Sequence, residues 1–337
     1  MANLADVLKS IEKMSGKKAL MQGVEVKDIE RIPLPMITVN RMLYGGIPKG
    51  RMVEFAGVES GGKTTTALLL AGAYQKQDDR PVFFVDSEGT YDPRWAAKLG
   101  VDNDRLIKWT PENVTAEEVF QKILEVAETD EVGLIILDSI PALVPQQIDA
   151  KDMTEYQMGG ISKALTTFTM KLQKVLLKND TVTFVGLNQV RDNMSPYGSP
   201  TTTPGGRGWK HLTSVRLEMS SSSVDKNGNY VPESHENPAG VMITVHVKKN
   251  KTAPRNRKLG RYIVDFDEGF NEKLDVVNVA VSLGIVTQRG ASFSYINPET
   301  GEVLAKGMGR AKFIESLTDE VFEEIKGDFY YCKCSKE

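Results

Sequence analysis

The sequence predicts an α/β protein: a mostly parallel central sheet with helices between its strands, preceded by one amphipathic helix and followed by a smaller α+β unit. Three observations predict this. Short continuous apolar runs recur at Met52–Ala56, Val82–Asp86, Leu134–Asp138 and Val182–Asn188, as strands buried on both faces do. Helix-like stretches at 63–77, 115–129 and 158–178 alternate with them, and that alternation favours parallel pairing. From about residue 268 the pattern changes to a helix at 271–283, a hairpin-like FSYINPETGEVL and a helix at 310–325.

The length of 337 residues allows two or three domains. Hydrophobic residues at 40% and charged residues at 26% supply a sizeable core and exclude a mainly disordered chain. Lys plus Arg is 42 and Asp plus Glu is 45, a net charge of −3, which excludes a histone-like polycation. A nucleic-acid partner stays open, because local clusters matter more than the total. The two cysteines, Cys332 and Cys334, sit together near the end, unlike a disulfide framework and too few for a structural zinc site. No apolar run approaches the ~20 residues that span a bilayer. A soluble, reduced, cytoplasmic protein without a membrane partner is the expectation.

Leu4, Val7, Leu8 and Ile11 fall at helical spacing over residues 3–15, ahead of a Gly/Lys turn. So short a helix is marginal alone and needs a surface to pack on, its own or a neighbour's. Residues 1–31 are read as this helix and a linker strand, 32–267 as the core, 268–330 as the small C-terminal domain and 331–337 as a tail. Further strands are expected near 213–219, 241–249 and 261–266.

The strand at Met52 runs into Gly57-Val58-Glu59-Ser60-Gly61-Gly62-Lys63-Thr64, which matches G-x-x-x-x-G-K-[ST], and a helix with Thr65 follows. The glycines let backbone N–H groups curl around phosphate oxygens, and the helix start adds its positive end. Lys63 would neutralise β- and γ-phosphates, and Thr64 would hold Mg²⁺. Asp138 ends its apolar strand, where a carboxylate holds Mg²⁺ through water. ATP and Mg²⁺ are thus the expected cofactors. Glu88 follows the strand Val82–Asp86, at the ligand-binding edge of a parallel sheet. It could activate water as a general base, or be a solvated loop carboxylate; chemistry alone leaves both open, with Asp86 the less favoured rival.

The phosphate loop, Glu88, LDSIPALVP and NQVR, in that order and spacing, resemble the RecA family of homologous recombinases. The resemblance covers the chain from the N-terminal helix to about residue 318, and GASFSYINPETGEVLAKGMGRAKFIESL is similar to the bacterial members. The short tail and divergent loops look more like a phage-encoded relative. The resemblance implies a RecA-type P-loop ATPase core and breaks the tie for Glu88, which falls on the catalytic glutamate. Asp92 and Trp95 in YDPRW fall where the family contacts adenine, with Trp95 replacing the usual Tyr. Gln189 falls on the residue that senses the γ-phosphate and couples it to DNA, although a polar strand end has a bland reading too. The phosphate loop departs from bacterial relatives at Val58 and Gly61, and stays small.

The stretch Arg191–Lys210 is too long and polar for an ordinary connection. Its cations Arg191, Arg207 and Lys210 interleave with Tyr197 and Trp209, as single-stranded nucleic-acid binding requires. The resemblance makes it the second DNA-binding loop, with Gly205 and Gly206 giving backbone contacts to phosphates. It puts the first DNA loop at about 149–160, where Met158, Gly159 and Gly160 would bind through amides. His246–Arg261 holds seven Lys and Arg residues and no acidic one, a solvated hairpin by composition. By resemblance Lys249 and Lys251 reach the ATP of a neighbouring protomer.

Together the resemblance implies an ATP-dependent recombinase that forms a helical homo-oligomeric filament on single-stranded DNA and pairs it with double-stranded DNA. Lys306, Arg310 and Lys312 are basic candidates for receiving the duplex. Two other classes share parts of the pattern: a ring-shaped motor on the same core, and a non-catalytic filament protein. The N-terminal helix and the C-terminal unit oppose the first; intact Lys63, Thr64, Glu88 and Asp138 oppose the second.

Overall fold

The computed structural model describes residues 3–15, 28–149, 160–192, 201–226, 228–298 and 300–331. Met1–Glu30 and Arg31–Glu337 are two compact units. In the first, α1 (Leu4–Ser15) begins where Asn3 Oδ1 accepts from Asp6 N at 2.9 Å, an N-cap. Leu4, Val7 and Leu8 of α1 are exposed.

Among the described residues, the second unit is built on a sheet of nine strands. Its strands are β1 (Met52–Gly57), β2 (Val82–Asp86), β3 (Leu106–Trp109), β4 (Leu134–Asp138), β5 (Thr183–Gln189), β6 (Val215–Val224), β7 (Gly240–Asn250), β8 (Leu259–Asp265) and β9 (Gly269–Phe270). The order is β9-β8-β7-β6-β1-β5-β4-β2-β3. Pairing is parallel from β6 through β3 and antiparallel from β6 through β9. The phosphate-loop strand β1 is therefore central, with β5 and β6 at its sides.

Helices cover both faces. Apolar residues of β1, β2, β4 and β5 alternate between two clusters. One holds Phe55, Phe84, Ile136 and Leu187 with α3 (Lys63–Gln75). The other holds Met52, Val85, Ile135 and Phe184 with α5 (Ala116–Thr129) and α7 (Gly160–Lys178). Thr115 caps α5 and Glu118 returns the bond to the Thr115 amide, a capping box. The short helices α2 (Ile37–Met42), α4 (Pro93–Lys98), α6 (Gln146–Asp149) and α8 (Gly206–Leu212) fill the edges.

The C-terminal part has a separate core of Val276, Phe293, Tyr295, Phe313 and Ile325, against which Ile37 packs. It joins α9 (Glu272–Ser282) to a three-stranded antiparallel sheet, β10 (Val286–Arg289), β11 (Ser292–Ile296) and β12 (Val303–Met308). The single helix expected at 310–325 is two, α10 (Arg310–Glu315) and α11 (Asp319–Tyr331). Leu317 turns into the core, and Thr318 Oγ1 accepts from Val321 N at 3.3 Å, which restarts the helix. The strand expected at 213–219 runs on to Val224. The edge strand β3 has no forecast, because Ile107 and Lys108 are exposed and its apolar run is broken.

Candidate functional site

The parallel strands bring their C-terminal ends to one edge. Gly57 closes β1 so tightly against β6 that a Cβ there would lie 2.4 Å from Met219 O. Gly62 takes φ +88° and precedes α3 without any side-chain cap, leaving the first N–H groups of α3 for an anion. Ser60 has φ 55°, and its carbonyl accepts from Ser221 Oγ at 2.9 Å, so β6 braces the loop. Val58, Glu59 and Ser60 are exposed, Gly61 is buried, and Thr65 is half-buried.

Lys63 Nζ folds back onto Val58 O at 2.7 Å and Gly57 O at 3.3 Å. Burial lowers its pKa, against the charges of Asp138, Glu88 and Glu59. Thr64 Oγ1 donates to Asp138 Oδ2 at 2.6 Å. Burial pushes the Asp138 carboxyl up to about 6, partly offset by the Thr64 bond and reinforced by Glu88. A hydroxyl and a buried carboxylate in contact beside a phosphate cradle suit a hard divalent cation. No group of three or more His, Cys, Asp or Glu among the described residues is placed to hold a metal ion by itself, so an Mg²⁺ here would need phosphate and water as further ligands.

Glu88 is exposed and accepts a short hydrogen bond from Ser139 Oγ. Ser139 is held in turn: its N–H donates to Ser87 Oγ at 2.7 Å, and Ser87 Oγ donates to Ser139 O at 2.8 Å. The ends of β2 and β4 are thus fastened together under Glu88. Asp86 is occupied otherwise, accepting from Thr90 N and Tyr91 N and pairing with Lys108 Nζ at 3.3 Å. Asp92 caps α4, its Oδ1 accepting from Arg94 N at 2.8 Å and Trp95 N at 3.4 Å, while half-buried Trp95 packs on the core. Gln189 ends β5 in register with Gly57, and Val190 N donates to Gly57 O at 3.1 Å.

Past Gln189, Arg191–Asp192 pairs with Thr201–Thr202. Gly205 and Gly206 take φ +108° and +69° and open α8. Arg191 and Arg207 are exposed. Lys210 Nζ donates to Thr202 Oγ1 at 2.6 Å, and burial lowers its pKa. Lys249 Nζ donates to Lys210 O and His211 O, and Lys251 Nζ to His211 O. Met158, Gly159, Tyr197, Cys332 and Cys334 lie outside the described residues; Gly160 begins α7.

The chain matches the family described as RecA N-terminal domain over residues 2–271. It is similar to Protein RecA of Thermus thermophilus, 37% identical over 96% of this chain and 92% of that protein. It is similar also to Protein RecA of Aquifex pyrophilus, 34% identical over 97% and 90%, and of Campylobacter fetus subsp. fetus, 33% identical over 95% and 91%. The chain belongs to the RecA family.

One expectation drawn from the interleaving of cations and aromatics in Arg191–Lys210 is corrected. Trp209 offers no stacking face to a base: it is 0% exposed, lies edge-on to Phe184 at 6.1 Å, and its Nε1 donates to Glu54 Oε1 at 2.7 Å. Gly186 makes the room, since a Cβ there would lie 3.1 Å from the indole. The basic run beyond Lys251 is partly spent on the fold. Arg255 Nη1 donates to Lys248 O, and the Arg257 guanidinium lies 5.3 Å from the Tyr44 ring centre. Three residues near the RecA-type site had no sequence forecast: Ser139, Asn188 and Glu54. Ser139 stands beside Asp138 inside the quoted LDSIPALVP, a signal of place that gave it no role.

Proposed function

We infer that this RecA-family chain is an ATP-dependent DNA recombinase that assembles as a helical filament on single-stranded DNA, pairs it with homologous duplex, and acts in the cytoplasm in recombination and repair. The observation that carries the reading is one ledge holding the phosphate loop, Glu88 seated on Ser139, and Gln189 in register with Gly57 at the root of the long polar loop. No helix among the described residues is long and apolar enough to cross a membrane.

The free N–H groups at the start of α3 and Lys63 take the β- and γ-phosphates. Thr64, and Asp138 through water, would hold Mg²⁺, which would supply neutralisation of the phosphate charge. Glu88 orients a water and takes its proton as the water oxygen bonds to the γ-phosphorus and the bond to the β–γ bridging oxygen breaks. Lys249 and Lys251 of one protomer stabilise charge on the nucleotide of the next, which ties hydrolysis to assembly. Heterologous contacts that do not close give the helical polymer, with α1 as a docking element. Gly205, Gly206, Arg191, Arg207 and Lys210 hold the DNA backbone, and base pairing reads the sequence. Lys306, Arg310 and Lys312 face the duplex.

The test is ATP hydrolysis with and without oligothymidylate, with Glu88→Gln as control. Stimulation by DNA that the variant loses supports the reading; hydrolysis indifferent to DNA sinks it.

A further inference from the structure

Glu54 is a fully buried carboxylate on the central strand of the sheet, three residues before the phosphate loop. Its Oε1 accepts from Trp209 Nε1 at 2.7 Å and Asn188 Nδ2 at 2.8 Å, and its Oε2 accepts from Arg216 Nε. The donors reach on to the returning limb of the long loop. Asn188 Nδ2 also donates to Pro204 O at 2.9 Å, and Arg216 Nη2 to Thr203 Oγ1 at 3.1 Å. Trp209 belongs to α8, which that limb enters. One carboxylate therefore gathers β1, β5, β6 and the limb 203–209.

A buried ion pair of this kind is weak evidence for stability, since apolar residues of similar volume serve as well. Its value here is positional. Asn188 is the neighbour of Gln189, and successive strand residues point to opposite faces. A twist of Gln189 toward a γ-phosphate on one face turns the Asn188 amide on the other, and that amide holds Pro204. The network is also unsaturated. Asn188 Oδ1 is buried and takes no donor among the described residues, while its Nδ2 is committed to two acceptors, which fixes the amide orientation. A buried acceptor left open is costly and marks a place where a second arrangement can form.

We propose that Glu54, through Asn188, Trp209 and Arg216, is the positioning residue that transmits the phosphate state of the nucleotide site to the returning limb of the DNA loop. This deepens the DNA-coupled reading above and rests on it. Glu54 touches neither nucleotide nor DNA, so its loss separates the two activities without removing either.

The experiment measures two things for the full chain and for Asn188→Ala and Glu54→Gln: ATP turnover with and without oligothymidylate, and the affinity for labelled oligothymidylate with ATP and with ADP. In the unaltered chain ATP tightens DNA binding; the expected coupling is about 5- to 150-fold, the ordinary range for linked sites. In Asn188→Ala the DNA-free turnover stays within about twofold, the ATP-to-ADP affinity ratio collapses toward one, and DNA stimulation falls with it. A merely structural residue would lower the melting temperature and leave that ratio intact. Should Glu54→Gln fail to fold, Asn188→Ala decides alone. A ratio preserved in Asn188→Ala overturns the proposal while the DNA-coupled reading stands. An unaltered chain with no DNA response overturns both.

Discussion

The Lys249 ammonium donates to the Lys210 carbonyl at 2.6 Å, at the C-terminal end of α8. Lys251 joins it on His211 O, also at 2.6 Å. Cations satisfy the last carbonyls of a helix in this way. The same two lysines are proposed to serve a neighbour's nucleotide, so assembly would have to draw them off α8. Burial, then the charges of Lys251 and Arg216, lowers Lys249 to about 8. As pH rises through that value the amine becomes free and nucleophilic. An acylating reagent at pH 8 should label Lys249 ahead of the exposed Lys306, with ATP and single-stranded DNA suppressing the reaction. Mass spectrometry of the labelled peptides checks it, and equal labelling refutes it.

Asp275 on α9 holds the start of α2, its Oδ2 accepting from Ile37 N at 2.8 Å. Burial raises the carboxyl to about 7, and Glu272 adds to this against the backbone bonds. A folded-state pKa above the unfolded 3.8 means the folded protein binds the extra proton. Stability from this group is full below about pH 4 and is lost as pH rises to about 7. Asp275→Asn keeps an acceptor and has no charge to bury. It should raise the melting temperature relative to the parent at pH 8 and change it little at pH 4. The upper limit is roughly 4 kcal/mol, three pKa units at ~1.4 kcal/mol each. A difference independent of pH would contradict this.

Gly186→Ala should disturb Trp209. The added methyl would lie 2.8 Å from Ile140 Cδ1 and 3.1 Å from the indole. Overpacking of this kind costs ~1–3 kcal/mol. Urea titration followed by tryptophan fluorescence should show a lower midpoint with a shifted native spectrum. An unchanged midpoint would show that the core yields freely there.

Ser139→Ala should slow turnover while leaving nucleotide affinity alone. The Ser139 hydroxyl holds Glu88 and makes no bond to the phosphate loop itself. A general base contributes ~10²–10⁴-fold, and losing its orientation should forfeit roughly tenfold or more of that. A fall in kcat with steady KM checks the assignment; weakened nucleotide binding at steady kcat would refute it.

Much of the fold was legible because four strands are apolar on both faces and so read as unbroken runs. β3 was not, because an exposed lysine interrupts its four residues. The break between α10 and α11 escaped because Leu317 fits the helical period that it ends. At the site, the phosphate loop and Asp138 were readable from chemistry tied to strand ends, whereas chemistry left Glu88 open and only the resemblance gave it a role. Trp209 was misread because an aromatic between two cations suits a nucleic-acid loop and a core equally, and Gly186 decides between them from another strand. Glu54 gave no signal, since its donors lie 134, 155 and 162 residues along the chain.

The position of β1 in the sheet also bears on synthesis. The strand that carries the phosphate loop leaves the ribosome early, yet its hydrogen-bonding neighbours are β5 and β6, beginning at Thr183 and Val215. For more than a hundred residues of translation its backbone N–H and C=O groups have no neighbouring strand, and unpaired strand edges invite association with other chains. A nascent chain stalled before Thr183 should therefore hold chaperones and bind no nucleotide, and one stalled after Val224 should release the former and acquire the latter.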